Sequence, residues 1–336
     1  MYQNSVAKPR LDLAGAIRTQ EVLSGGIAHL LFPPFPVDKR TASMPKLLAT
    51  NNQVFAIKHA PKTAYKRVEA TLDDDTYNCV EAAIEVPISA EDYDVVGQDG
   101  AEQIATEQGR AIVLTAREAA LADTLTGAAG ETLLTGQVST PASAENWSEA
   151  GGLPIDDIAA ADALLSLRQG PGPRWLIISQ HQLFELQTNA QIRSSWRSIA
   201  GQTDKTATNR RLKLEDLALV LGVDMVLVAS ARKNTANPGA AAVYAYVWPT
   251  NYALLVRGVV NPSDLTEPSF GRMFVWDGAN LGAESEVIEE NSEEALFVES
   301  YRDEAIKSDI IRVGEYTDLK ILNLTAAQLI KLPTAD

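Results

Sequence analysis

The sequence lacks the residues on which two common kinds of site depend. It has one cysteine, Cys79, and three histidines, His29, His59 and His181, among 336 residues. A single cysteine excludes an intrachain disulfide, and three scattered histidines argue against a histidine-based metal site. Cys79 falls on the polar side of a predicted strand, where we interpret it as a thiol without a chemical role. We therefore expect no metal site and no bound cofactor.

Long hydrophobic segments are also missing. No apolar run is long enough to cross a bilayer, and residues 1–10 lack the basic and then apolar pattern of a signal peptide. We therefore expect a protein that is soluble and intracellular at synthesis, with no membrane partner.

Sequence motifs of common enzymes are absent as well. The phosphate-binding pattern G-x-x-x-x-G-K-[ST], the dinucleotide pattern G-x-G-x-x-G, the nucleophile elbow G-x-S-x-G and the metal helix H-E-x-x-H do not occur. Ser179 and His181 stand two residues apart at a predicted strand-to-helix turn, a spacing that gives no hydrogen-bonded nucleophile and base. We predict no catalytic residues, and that the protein is not an enzyme.

The sequence also has no excess of basic residues. The formal net charge of -15 argues against a surface built to grip nucleic-acid phosphates, which requires clustered lysine and arginine. Basic residues do cluster locally at Lys62, Lys66 and Arg67, next to Tyr65. Such a cluster is typical of a solvated surface or of a contact between subunits.

A long extended hairpin is the first positive signal. Between Asn78 and Ile88 apolar residues occupy alternate positions, the period of a strand with one apolar face. Upstream, Gln53–His59 and Tyr65–Leu72 have strand composition and flank the turn-prone Ala60-Pro61-Lys62. A two-stranded ribbon is marginal alone in water, so its apolar face must be covered. The cover can be its own domain, as for most hairpins, or a neighbouring subunit.

A long helix is predicted next, from Gln98 to Thr126, with Asp99 as N-cap and Gly127 as its stop. It would be roughly 40 Å long, beyond the typical helix of about 17 Å. Its predicted buried stripe consists of Ala101, Ile104, Ala105, Gln108, Ala111, Ile112, Thr115, Ala119 and Ala122. Such a helix can be a buried core element, the spine of a domain, or both.

The second half of the chain predicts a mixed structure of fold class α+β. Three helices are expected, at Ile155–Arg168, Gln180–Thr188 and Leu214–Leu221. The expected strands are Trp175–Ser179, Asp224–Ala229, Val243–Trp248, Tyr252–Val259, Arg272–Trp276 and a closing antiparallel pair, Leu296–Ile306 and Asp309–Leu322.

In this order the parts resemble the major capsid protein family of tailed bacteriophages, which has the Hong Kong 97 fold. The resemblance rests on Phe35–Ile88 as the extended loop, Gln98–Thr126 as the spine helix, and the ending Phe297–Glu304 with Asp318–Leu322 as the last strands. It implies an N-terminal arm (1–32), an extended β-hairpin loop (33–88), a peripheral domain with the long spine helix (89–154), a mixed α+β axial domain (155–294) and a return to the peripheral domain (295–336).

The resemblance also implies a function. Such a protein self-assembles as hexamers and pentamers into the icosahedral head of a tailed phage and encloses double-stranded DNA without sequence-specific binding. Its partners would be further copies of itself, scaffolding and portal proteins, and its location the virion, after assembly in the host cytoplasm. Because the loop would lie over adjacent subunits, we expect Val37–Ile88 to bury its apolar face between subunits. Lys62, Tyr65, Lys66 and Arg67 are the candidate intersubunit contacts.

Two alternatives remain at this stage. An encapsulin-type nanocompartment shares the fold but encloses cargo enzymes, and such shells usually start with a helix, whereas the start of this chain is predicted to be an arm. A soluble α+β enzyme or binding protein with an unrecognised site is the second alternative, and it predicts a monomer or small oligomer.

Overall fold

A computed structural model describes residues 8–9, 25–47, 67, 72–141, 143, 145–199, 212–237, 240–265, 267–276 and 296–333. Its helices are α1 (Ala28–Leu31), α2 (Ala90–Val96), α3 (Gln98–Leu125), α4 (Gly127–Leu133), α5 (Pro154–Gln169), α6 (Gln180–Thr188), α7 (Ala190–Ile199) and α8 (Leu214–Leu221).

The strands of the first half are β1 (Lys8–Pro9), β2 (Pro34–Val37), β3 (Thr41–Leu47), β4 (Leu72–Asn78), β5 (Val80–Ile88) and β6 (Val138–Ser139). Those of the second half are β7 (Arg174–Ser179), β8 (Met225–Ala229), β9 (Arg232–Asn234), β10 (Tyr244–Tyr246), β11 (Tyr252–Arg257), β12 (Gly271–Trp276), β13 (Leu296–Asp303), β14 (Ser308–Ile321) and β15 (Ala327–Lys331).

The first sheet is built around β14. The first part of β14 pairs antiparallel with β13 on one side and β5 on the other, and its last part pairs with β12. The sheet is extended by β1 beside β13 and by β2, in parallel, beside β12. The predicted closing strand pair is confirmed, in register from Leu296 opposite Glu315 to Asp303 opposite Ser308.

The long helix α3 packs across β5 and β14, and its predicted extent is confirmed to within one residue. Ala101 and Ala105 form a small core with Ile88, Ile311 and Val313. Two details of the prediction are wrong. The N-cap is Gly97 rather than Asp99, which lies in the first turn, where its negative charge favours the helix dipole.

The predicted buried stripe of α3 is also displaced. Ile104 and Ile112 are 53% and 40% exposed, whereas Val113, Leu114 and Leu121 are buried. The buried side further includes Arg110, Arg117 and Glu118, charged residues that a hydrophobic pattern assigns to solvent. Such residues are buried only where a partner compensates their charge, and the partners of Arg117 and Glu118 lie far away in the sequence.

The second sheet has the strand order β6-β15-β11-β7-β8. One face is covered by α5, α6, α7 and α8, and contributes Leu176, Ile178 and Leu255 to that core. The other face packs Ile177, Leu254 and Leu329 against the end of α3 and against Met273 of β12. A single core therefore connects the second sheet to the first.

The predicted elements of the second half are confirmed to within two residues at each end, from α5 to β12. The assignment of two strands differs from expectation. β12 falls in the range predicted for the axial domain but pairs with β14 and β2 of the first sheet. β15 falls in the predicted return to the peripheral domain but is a buried strand of the second sheet, between β11 and β6. The physical reason is that both strands are buried and need partners on both edges, which their position in the sequence does not specify.

Candidate intersubunit surfaces

A two-stranded ribbon stands apart from both sheets. In it β3 pairs antiparallel with β4, in register from Thr41 opposite Asn78 to Leu47 opposite Leu72. Thr41, Ser43, Asp74 and Thr76 are exposed along it. The described strands are the base of the predicted hairpin, and the predicted strand Gln53–His59, with most of Tyr65–Leu72, lies outside the described residues. Sequence reasoning missed β3, which contains Pro45, a residue that sheets accept mainly on edge strands.

The root of the ribbon is fixed to the first sheet. Tyr77 stacks on Phe274 with ring centroids 4.6 Å apart. The Cys79 N–H donates to the Arg40 carbonyl at 2.9 Å, and Arg40 Nε donates back to the Cys79 carbonyl at 3.0 Å. The Asn78 N–H donates to Asp318 Oδ2 at 2.8 Å. Because both strands are held at this end, the ribbon leaves the domain in a defined direction.

Cys79 is not on the polar side of a strand, contrary to expectation. It occupies the break between β4 and β5, is fully buried, and its thiol donates to the Phe274 carbonyl at 3.6 Å. Burial raises the pKa of the Cys79 thiol to about 11, so at neutral pH it is an uncharged part of the core.

The C-terminal end of β5 is covered within the chain, so the expectation that Val37–Ile88 buries its apolar face between subunits is wrong for Val86 and Ile88. β5 pairs with β14 along its whole length, and Val86 and Ile88 belong to the core beneath α3. Val80 and Ala82, nearer the ribbon, are exposed, Val80 at 54%. Burial against another subunit remains a prediction for the ribbon itself.

The four predicted contact residues lie in the sequence between β3 and β4. Arg67 is described and is exposed. Lys62, Tyr65 and Lys66 lie outside the described residues, so their role as intersubunit contacts stays a prediction. Nearer the root the ribbon is acidic, and Asp75 forms an ion pair with Lys320 of β14 at 2.8 Å.

A second exposed hairpin is formed by β9 and β10. Arg232 and Lys233 of β9 are exposed, as are Val243 and Tyr244, at 56% and 71%. Sequence reasoning found β10 but missed β9, which has three residues and no apolar side chain. The base of this hairpin is closed by the Val247 N–H, which donates to the Ala231 carbonyl at 2.9 Å.

Glu118 connects three parts of the chain. Its Oε2 accepts the Ile27 and Ala28 N–H groups at 3.0 and 2.9 Å, and its Oε1 accepts the Trp248 indole N–H at 2.5 Å. The carboxylate is 1% exposed. It satisfies unpaired donors at the start of α1, so the end of the predicted N-terminal arm is fixed to α3 and to the chain after β10.

Ser179 and His181 contact different residues. The Ser179 hydroxyl accepts the Gln182 N–H at 3.3 Å as the N-cap of α6, while His181 is half-exposed and lies 3.5 Å from Glu185.

Among the described residues no group of His, Cys, Asp or Glu could hold a metal ion. In the same part of the chain no helix is long and apolar enough to span a membrane.

Comparison with known proteins gives matches only at the level of structure. No family model and no curated protein sequence matches the chain. A phage-related protein from Bordetella bronchiseptica has a similar crystal structure, with a TM-score of 0.68, 20% identity and 97% of each chain covered.

Two further matches come from assembled shells. The capsid of cyanophage P-SCSP1u gives a TM-score of 0.57 at 11% identity, covering 92% of this chain and 89% of the other. The SrpI encapsulin complex from Synechococcus elongatus gives 0.53 at 11% identity, covering 95% and 92%. Together with the α+β architecture described above, these similarities establish that the chain has the Hong Kong 97-like fold of phage capsid proteins.

Proposed function

We propose that this protein is the major capsid protein of a tailed bacteriophage, and that its copies assemble as hexamers and pentamers into an icosahedral head around double-stranded DNA. The fold supports this proposal, because similar phage capsid structures match over nearly the whole chain. The division into arm, loop, peripheral domain and axial domain is part of the same proposal, with β12 assigned to the peripheral domain and β15 to the axial domain.

The ribbon of β3 and β4 is the observation that carries the proposal. It forms a separate two-stranded sheet and exposes residues on both strands, although such a ribbon is marginally stable alone in water. The inner face of its base packs on the first sheet through Ala42, Met44 and Tyr77, so the face that a neighbouring copy would cover is the exposed one, with Thr41, Ser43, Asp74 and Thr76. The segment 48–71, which joins the two strands, contains four basic residues and one acidic residue in a chain of net charge -15. Its charge is therefore complementary to the surface of another copy.

The same net charge suits a container for DNA. An acidic shell encloses DNA without gripping its phosphates, so the DNA is held by enclosure rather than by specific contacts. Scaffolding and portal proteins are the further partners of this proposal, with assembly in the host cytoplasm and the virion as the final location. No catalytic step is part of the function.

Electron microscopy of the expressed full-length protein tests this function. We expect closed shells or rings of subunits. A protein that stays monomeric under all assembly conditions, with the ribbon protected from proteases in the monomer, would overturn the proposal.

The ribbon contact is tested by charge reversal. Lys62→Glu with Lys66→Glu should abolish assembly and leave the unfolding midpoint unchanged. Lys39→Glu with Lys307→Glu is the matched control, because it changes the net charge equally at exposed positions outside the segment 48–71. Equal loss of assembly in the two double variants would mean that net charge, not the ribbon contact, controls assembly.

An encapsulin-type nanocompartment is the second candidate function, favoured by the match to the SrpI encapsulin complex. The contents of purified particles decide between the two. Packaged DNA supports the capsid, and an enclosed enzyme supports the compartment.

A further inference from the structure

Apart from Asp162, which bonds to Arg174, the exposed face of α5 carries no charged residue between Ala159 and Leu167. From Ala159 to Leu167 every exposed residue is alanine or leucine, and the leucines Leu164 and Leu167 are 47% and 85% exposed. Ala160, Ala163, Leu164 and Leu167 recur at three- and four-residue spacing and form one continuous stripe. Because 22% of the chain is charged, this composition is unlike that of a helix face selected only for contact with water.

The stripe lies on one flank of the second sheet. α5 packs over β15 and β11, and its Asp162 and Ser166 bond to Arg174 of β7 at 2.5 and 2.9 Å. Those two residues face the middle of the sheet. At 3.6 residues per turn, Leu164 and Leu167 project from the opposite side of the helix, the side of β15 and β6.

A second apolar patch lies on the other flank. β8 is the edge strand there, and α8 packs beside it. Leu219 of α8 and Met225 of β8 are 62% and 44% exposed. The same body therefore carries an apolar patch at each of its two opposite flanks.

We propose that the α5 stripe of one copy packs against Leu219 and Met225 of the next copy, and that this contact repeats around a ring. The inference rests on the proposed function for the existence of an oligomer and adds the surface that joins its subunits. Glu215 and Asp224 are exposed beside Leu219 and Met225, so this second patch would be repelled by an acidic surface of the next copy. The α5 stripe of Ala160, Ala163, Leu164 and Leu167 has no acidic residue and so fits against it. Rings of five or six subunits require two different patches per subunit, whereas a stripe that pairs with itself stops at a dimer.

Engineered cysteines in the full-length protein test the pairing. The native Cys79 is fully buried, so it does not compete in oxidation. With Leu167→Cys and Leu219→Cys together, mild oxidation of assembled protein should give a ladder of covalent oligomers on denaturing gels, ending at the ring. Leu167→Cys alone should give no covalent oligomers and should run as a monomer on the same denaturing gels. Covalent dimers from the single variant, or no ladder from the double variant, would overturn the contact.

Charge insertion gives an independent readout that also separates this contact from the proposed function. Leu167→Glu should lower the assembled fraction at least about tenfold without changing the unfolding midpoint, because it places an unpaired charge in the contact. Adding Leu219→Lys should restore assembly, since each glutamate then meets a lysine of the next copy. Failure of the wild-type chain to assemble would overturn both proposals. Normal assembly of the Leu167→Glu variant would overturn this contact alone.

Discussion

Arg117 and Glu315 form an ion pair that is buried between α3 and β14. Arg117 Nη1 lies 2.8 Å from Glu315 Oε2, and the two side chains are 5% and 3% exposed. Arg117 Nη1 also lies 3.5 Å from the sulfur of Met273, so the pair sits where the helix meets both β14 and β12. Burial raises the pKa of Glu315, and the Arg117 guanidinium opposes that rise. The spine helix is thus attached to the first sheet by charge as well as by apolar packing.

Replacing Arg117 with methionine should destabilise the protein by about 3 kcal/mol, because it leaves a buried carboxylate without its partner. The loss should grow with pH. Without Arg117 the folded-state pKa of Glu315 rises further above its ordinary value of 4.5, so the folded state binds a proton that the unfolded chain has released. The free energy of unfolding therefore falls as pH rises from 4.5 to the folded-state pKa.

Urea unfolding of wild type and variant at about pH 5 and about pH 8 measures this effect. The double variant Arg117→Met with Glu315→Gln is the control. It has no buried charge at positions 117 and 315, so its difference from wild type should be smaller than that of Arg117→Met near neutral pH. A single variant whose loss of stability is the same at both pH values would contradict the assignment of the effect to Glu315.

Glu118→Gln should loosen the N-terminal segment. The amide that replaces the carboxylate has one acceptor oxygen and one donor nitrogen, whereas the site presents donors on both sides, from Ile27, Ala28 and Trp248. At least one buried donor loses its acceptor, at a cost of about 2 kcal/mol. Limited proteolysis should cut between residues 25 and 32 faster than in wild type. Asp123→Asn, on the exposed side of the same helix, should leave the cleavage rate unchanged.

Cys79 should serve as a reporter of opening at the ribbon root. Its thiol is fully buried and its pKa is raised to about 11, so both access and thiolate formation are suppressed in the folded state. An aromatic disulfide reagent at about pH 8 should label it far more slowly than in denaturant. The raised pKa also means that stability from this group is lost as pH rises from 9.0 towards about 11. Equal labelling rates in folded and unfolded protein would show that the root is open.

The sequence predicted α3 and α8 well because each is a periodic segment followed by a glycine, Gly127 after α3 and Gly222 after α8. It did not predict which side of α3 is buried, because Arg117 and Glu118 are compensated by Glu315 and Trp248, residues more than a hundred positions away. β3 and β9 were missed for a related reason. Each depends on a partner strand rather than on its own apolar pattern.

Gly109 should resist substitution although it lies in the middle of a helix. Alanine is normally about 1 kcal/mol better than glycine there. A Cβ at this position would lie 2.7 Å from Val313 Cγ2, closer than packed atoms allow, with Ile84 Cγ2 also near at 3.8 Å. Gly109→Ala should therefore destabilise the protein by about 1–3 kcal/mol, because α3 must move away from the sheet.

Removing the methyl groups of Val313 tests whether its contact with a Cβ at position 109 causes the loss of stability. Val313→Ala alone should cost stability by leaving a cavity, but adding Gly109→Ala to it should then raise the melting temperature, since the new methyl fills the space and the helix gains its normal preference. Thermal unfolding of the four proteins of this double-mutant cycle measures the coupling. Additive effects of the two substitutions would mean that the approach of α3 to β14 does not require glycine at position 109.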